Sequence, residues 1–397
     1  MTEPDYGVVL GAADREFRDD VRAFLTSALS ADVRGPVRDE NERLDRMRLW
    51  QQRLHDAGLA AISWPVQFGG RGASVVQQLI YNAEMAAAGA PEPINRSAIN
   101  QLGPTIIQWG TDQQRDYYLP RILSAADVWC QGFSEPEAGS DLAALRTKAE
   151  IDGDELVITG QKIWTSKAHY AGWIYILART DPAAEKHHGI SYILVPLQTP
   201  GVEVRPIRQI TGRAEFNEVY FDSVRVPLTN VLGPLHEGWR VAKSTLGYER
   251  VGQSRTHRIE RRLGILVKLA QQDNALACNG FDDSFVADRI VGFAAQVEAL
   301  RQISAQATAA GIRGVDPGPE SSVAKLLTSE VDQAMANFGI DLAGPAGTLE
   351  RGSAGAAKGG NVAQSYLLMR AATFGAGTSE IQRNVIAEKL LGLPRDP

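Results

Sequence analysis

The chain is poor in the residues that would staple it covalently or carry it into a membrane. It has two cysteines in 397 residues, Cys130 and Cys278. Two thiols exclude a disulfide framework and a cysteine-only zinc site, and they suit a reducing compartment. No run approaches the ~18 consecutive apolar residues of a spanning helix. Positive charge is not in excess: 41 Lys and Arg stand against 47 Asp and Glu, a net charge of −6. That balance argues against a whole-chain role in binding nucleic acid or an anionic membrane. The 38 glycines and 19 prolines are too few for a collagen-like or broadly disordered chain. The opening MTEPDYGVVLGAADREF has no basic stretch ahead of an apolar core. It does not read as a secretory leader and points to the cytoplasm. His187 and His188 have no companions at ligand spacing, so no metal site is expected.

What is present is organised in three stretches, as expected for two or three domains at about 150 residues each. Over 1–125 the text is helical. Phe17, Val21, Phe24 and Ala28 share one face at a 3.6-residue period, and Leu44, Met47, Trp50 and Leu54 repeat the pattern. SWPVQFGGRG (63–72) interrupts it. Over 126–235 the text turns to β. Asp152-Gly153-Asp154 signals a hairpin, and WIYILAR, GISYILVPL, GVEVRPIRQ and FNEVYFDSVRVP follow at short spacing. A compact antiparallel, barrel-like sheet is expected. Over 236–397 the helical period returns. Val286, Ile290, Phe293, Val297 and Leu300 step in a heptad-like way, which reads as bundle core. The fold class expected is α+β: a helical N-terminal domain, a β-barrel-like centre and a C-terminal four-helix bundle.

Three segments could carry chemistry. In CQGFSEPEAGSDLAALRTKA (130–149), Ser134 and Ser140 offer hydroxyls and Gly139 permits close backbone approach. Such a turn can cradle phosphate, or it is simply capped by Ser140 or Asp141. In GQKIWTS (160–166), the π-face of Trp164 beside Thr165 and Ser166 suits a stacked heterocycle, or the indole is core. In GTSEIQR (377–383), Thr378 caps a helix whose amides suit an anion, or it is a cap and nothing more. The basic run SRTHRIERR (254–262) either meets phosphates or is a solvated helix face.

In this order, with WPVQFGGRG, FNEVYFDSVRVP and the GW…YER segment (238–250), these motifs resemble the acyl-CoA dehydrogenase family from about residue 12 to 395. The resemblance implies an FAD enzyme that desaturates an acyl-CoA between its α and β carbons and passes electrons to an electron-transfer flavoprotein. It implies that Phe133 and Ser134 line the flavin. Trp164 and Ser166 stand beside the ring, Thr378 touches the cofactor, and Ser140 faces FAD or CoA phosphates. Many members place the catalytic Glu directly before the final Gly-Thr. Here that residue is Ala376, which leaves only a backbone N–H for the thioester oxygen. A subset, including several actinobacterial steroid-side-chain enzymes, carries the base on the mid-chain helix. Glu249 stands there, followed by Arg250, which the resemblance assigns to substrate. An Arg-x-x-Phe-Gly segment that reaches a neighbouring subunit's FAD in many homotetramers is missing. A homodimer, a homotetramer and an α2β2 hetero-oligomer are all open. So are an acyl-CoA oxidase and a non-catalytic or co-catalytic subunit of a heteromeric enzyme.

Overall fold

The computed structural model describes residues 6, 8–35, 37, 39–251, 256–271, 283–312 and 318–394. The side chains of 249–251, 256, 257, 308, 311 and 312 lie outside that description. The chain divides into two compact units, one of Met1–Gln209 with Arg213–Gly252, the other of Gln253–Pro397 with Ile210–Gly212.

The first unit begins with helices α1 (Ala12–Ala28), α2 (Ala31–Arg34), α3 (Glu40–Asp56) and α4 (Val75–Ala87). Phe17, Val21, Leu25, Trp50, Leu54 and Ile80 from these helices make one core cluster. A π-helical turn, Ala98–Leu102, runs directly into α5 (Gly103–Trp109), and α6 (Asp112–Leu123) follows. The side chain of Thr111 caps α6 by accepting from Gln114 N, while the Gln114 side chain reaches back, a capping box.

Seven strands come next: β1 (Trp129–Gly132), β2 (Lys148–Asp152), β3 (Glu155–Ser166), β4 (Trp173–Arg179), β5 (Ile190–Pro196), β6 (Val202–Ile207) and β7 (Phe216–Pro227). Asp152 pairs with Glu155 across the Gly153–Asp154 turn, as the sequence signals. The sheet order is β1-β4-β2-β3-β7-β6, with β5 also on β4. It differs from the expected antiparallel sheet at two places. β1 runs parallel to β4, and β2 meets β4 in a parallel pairing at Lys148 and Arg179. Parallel neighbours need a long connection, and here the β2–β3 hairpin lies between β1 and β4 in sequence. β4 is buried on both faces. Tyr175 and Leu177 join one core cluster, Ile174, Ile176 and Ala178 the other. That double burial explains its unbroken apolar run. Helix α7 (Gly238–Val251) completes this unit.

The second unit contains α8 (Thr256–Ala270), α9 (Ser284–Ile312), α10 (Glu320–Ala343), α11 (Asn361–Met369) and α12 (Ser379–Val385). The stripe Val286, Ile290, Phe293, Val297 and Leu300 is buried as expected. It packs with Ile259, Leu266, Val331, Met335 and Phe338 inside this unit. The segment 344–360 holds two short 3-10 turns, Gly344–Thr348 and Ala357–Gly360. No described helix is long and apolar enough to cross a membrane.

Candidate active site

The first two chemistry-bearing segments fold against each other. β1 leads into a tight turn in which Glu135 and Ala138 exchange both main-chain hydrogen bonds, 3.0 and 3.1 Å long. Ile163 N of β3 donates to Ser134 O at 2.9 Å. Behind this junction sits a buried ion pair. Lys162 has no exposed surface, and its Nζ donates to Glu135 Oε1 at 2.7 Å and to Phe133 O at 3.2 Å. Arg146 N and Thr147 N donate to the same carboxylate at 2.6 and 3.0 Å. Gly160 lets β3 pass close by, at φ 153°, because a Cβ there would meet Thr147 Oγ1 at 2.6 Å. The pair thus ties three segments into one wall.

Burial works to raise the Glu135 carboxyl, but the Lys162 ammonium and the hydrogen bonds from Thr147 and Arg146 outweigh it and hold it below the ordinary carboxylate range. Burial pushes the Lys162 ammonium down to about 8 despite its partner. A depressed carboxyl contributes stability that is complete above its unfolded pKa and is lost as pH falls through its folded pKa. Glu135→Gln should therefore flatten the acid limb of the protein's stability profile. Melting temperatures of wild type and variant across acid and neutral pH check this: a constant gap at every pH contradicts it.

The wall's outer feature is Trp164. The β3–β7 register shifts between Lys162 and Thr165, and such bulges re-aim side chains beside functional sites. Trp164 sits at φ 59° with 57% of its surface exposed, edge-on to Phe216 at 6.2 Å. A bulky residue in the left-handed region is strained, and such strain clusters at ligand sites. Beneath it, the buried Thr165 hydroxyl has no hydrogen-bond partner among the described residues. Ser166 is exposed at the end of β3, and Ser134 is half-buried. Phe133 follows β1 directly. It is 4% exposed, and its ring packs edge-on to those of Tyr175 and Tyr192 at 5.7 and 5.8 Å. Ser140 is exposed, next to Asp141, which pairs with Lys186 at 2.8 Å.

Glu249 and Arg250 lie in the last turn of α7, and their side chains fall outside the described residues. The helix is held by Thr245 Oγ1, 3.0 Å from Thr105 Oγ1, and by Tyr248 Oη, which donates to Gln108 Oε1 at 3.1 Å.

In the second unit, Ala376 has φ 54° and Gly377 φ 84°. Thr378 Oγ1 accepts from Ile381 N at 3.2 Å, the capping role the sequence allows. Next to it, the buried Ser379 hydroxyl has no partner among the described residues. Of the basic run, Ser254 and Arg255 are outside the description, and Arg262 bonds to Asp332 and Ser365. His187 packs its ring 4.8 Å from that of Trp239. The sequence reading missed Glu135 and Lys162. The only signal available was a charged residue in each of two otherwise motif-like segments.

Three family models match the chain: the N-terminal domain of acyl-CoA dehydrogenase over residues 12–126, the middle domain over 130–224 and the C-terminal domain over 236–391. It is 42% identical to acyl-CoA dehydrogenase IpdE1 of Mycobacterium tuberculosis, over 96% of this chain and 98% of that one. Among solved structures, it resembles the Tcur3481-Tcur3483 steroid ACAD with a TM-score of 0.84 at 33% identity, covering 99% and 100% of the two chains. The ChsE4-ChsE5 complex from Mycobacterium tuberculosis gives a TM-score of 0.85 at 32% identity, covering 98% and 100%.

Proposed function

The chain belongs to the acyl-CoA dehydrogenase family of FAD-dependent oxidoreductases, and from that premise we propose that it converts a ring-bearing acyl-CoA thioester to its trans-2-enoyl-CoA. The observation that carries the reading is the wall itself, in which SEPEAGSD and GQKIWTS meet around the Glu135–Lys162 pair. Its residues fit a flavin: an exposed, strained indole, flanking hydroxyls and one orphaned buried hydroxyl. Phe133, Ser134, Trp164 and Ser166 would hold the ring region, with Thr378, and Ser140 would serve phosphate groups of FAD or CoA. FAD, when bound, supplies the acceptor for the hydride leaving the β-carbon.

The chain's own work is on the α-carbon. Glu249 takes the α-proton, and Arg250 holds substrate. Ala376 N–H donates to the thioester oxygen where negative charge gathers as the proton leaves. A donor so placed is worth about 3–4 kcal/mol. The ring-bearing substrate is supported by the structural relatives described as steroid ACADs. An electron-transfer flavoprotein is the proposed acceptor. The domain boundaries proposed are 1–125, 126–235 and 236–397. The test is turnover of purified protein against ring-bearing and straight-chain acyl-CoAs with an artificial acceptor.

Trp164→Ala should weaken FAD binding about 10-fold by removing the stacked face, measured by titrating the apoprotein with FAD. Unchanged affinity would remove Trp164 from the cofactor site. The protein should also be larger than a monomer, a homo-oligomer or an α2β2 assembly. The Val286–Leu300 stripe does not argue for this, since it is spent inside its own unit. Phe285 and Val291 of α9, 64% and 66% exposed, do. Light scattering that finds an active, FAD-loaded monomer contradicts it. A second reading is a co-catalytic subunit of a heteromeric enzyme. It is favoured by the missing carboxylate at Ala376 and by the two-component relatives. Turnover by the chain alone would exclude it.

A further inference from the structure

One core cluster of the first unit carries a polar rim. β1, continuing into Phe133, puts Trp129, Gln131 and Phe133 on the same face. The two aromatic rings are core, and Gln131 between them is half-buried. The β1–β4 register sets Gln131 opposite Tyr175. The Tyr175 hydroxyl lies 3.2 Å from Gln131 Oε1 and 3.3 Å from Gln101 Oε1. Gln101 is half-buried too, on the π-helical turn Ala98–Leu102. Trp64 clamps that turn from behind. Its Nε1 donates to Ile99 O at 2.9 Å, and its ring fills the space that a Cβ on Gly103 would enter at 1.9 Å. Wide turns of this kind recur at functional sites.

Two primary amides converge here on one phenol, and their hydrogen-bonding capacity is not used up. A tyrosine hydroxyl has one proton, so it feeds at most one of the two carbonyls. Turning the other amide lets an N–H donate to the tyrosine oxygen instead. Even then at least three amide N–H groups and one carbonyl have no protein partner among the described residues. An alkyl chain laid against this rim would strip water from those donors and return nothing.

The rim is also joined to the helix of the proposed base. Thr105 Oγ1 donates to Gln101 O at 2.7 Å and lies 3.0 Å from Thr245 Oγ1 on α7. Thr245 stands one helical turn before Glu249.

We infer that Gln101 and Gln131, positioned by Tyr175, bind an oxygen atom, ketone or hydroxyl, on the acyl part of the substrate. The surplus is in donors, so the group read is an acceptor. This rests on the reading that an acyl-CoA thioester is the substrate, and it narrows the class to oxygenated acyl groups.

The test uses two CoA thioesters of one bicyclic carboxylic acid, identical except for a ring ketone in one and a methylene in the other. Calorimetric titration of FAD-loaded wild type should give about 10–100-fold tighter binding of the ketone, the range of a hydrogen bond left unmade against a buried donor. Gln101→Leu and Gln131→Leu should each erase much of that preference while binding the methylene analogue as well or better. Equal affinities in wild type, equal losses on both analogues in the variants, or no binding of either thioester would overturn the inference. FAD content and melting temperature of each variant show that it is folded. Flavin bleaching by the same thioesters is read separately. Discrimination without bleaching removes the dehydrogenase reading and keeps the oxygen subsite. Bleaching without discrimination does the reverse.

Discussion

Glu249→Gln should retain FAD and bind substrate while losing about 10²–10⁴-fold in turnover, the contribution of a positioned general base. The reaction must place the α-proton somewhere, and position 376, where many relatives carry a carboxylate, is Ala376. Gln keeps the shape of Glu and cannot accept the proton. A sharper form moves the carboxylate. Ala376 already sits at φ 54°, so Ala376→Glu exchanges one L-residue for another in the same left-handed conformation and adds no new kind of backbone strain. In the Glu249→Gln background it should restore part of the rate. A steady-state assay with an artificial acceptor, corrected for FAD content, reads both steps. A double variant as slow as the single one would show that the two positions do not reach the same carbon.

Lys162→Met should be the most damaging substitution for the fold itself. It leaves the Glu135 carboxylate, 7% exposed, buried without its ammonium partner. Breaking a buried pair from one side costs about 3–5 kcal/mol, on the order of 10 °C in melting temperature for a unit of this size. FAD should be lost with it, because the pair fixes the main chain of both Ser134 and Ile163. Adding Glu135→Gln removes the orphaned charge and should recover part of the loss. Thermal melts with FAD content as a second readout decide it. A Lys162→Met protein that melts with wild type and keeps its flavin would mean that the pair does not hold the wall together.

Where the signal was local, the sequence was enough. The limits read for the fourth and seventh strands agree with β4 and β7, because each is a β-branched and aromatic run bounded by Gly, Asp or Pro. The α9 stripe was legible because its period is built into one helix. Non-local pairing was not legible. The partner of Lys162 is 27 residues away, and nothing in GQKIWTS says that its lysine points inward. β1 pairs parallel to a strand that begins beyond an intervening hairpin. The turn carrying Gln101 was not legible, because five residues of π-helix leave no period in the text. Pro104 follows it in the first turn of α5, where its missing N–H is not needed. Of the site, the motif residues stood out in the text, whereas the inward turn of Phe133 required the sheet.

The central claim is that this chain takes the α-proton of an acyl-CoA with Glu249 while FAD is reduced. Anaerobic stopped-flow mixing of the FAD-loaded protein with a ring-bearing acyl-CoA tests it in a single turnover, free of the electron acceptor. The account predicts rapid bleaching of the oxidised flavin in wild type, and bleaching slower by about 10²–10⁴-fold in Glu249→Gln. Equal bleaching rates in the two proteins would contradict it.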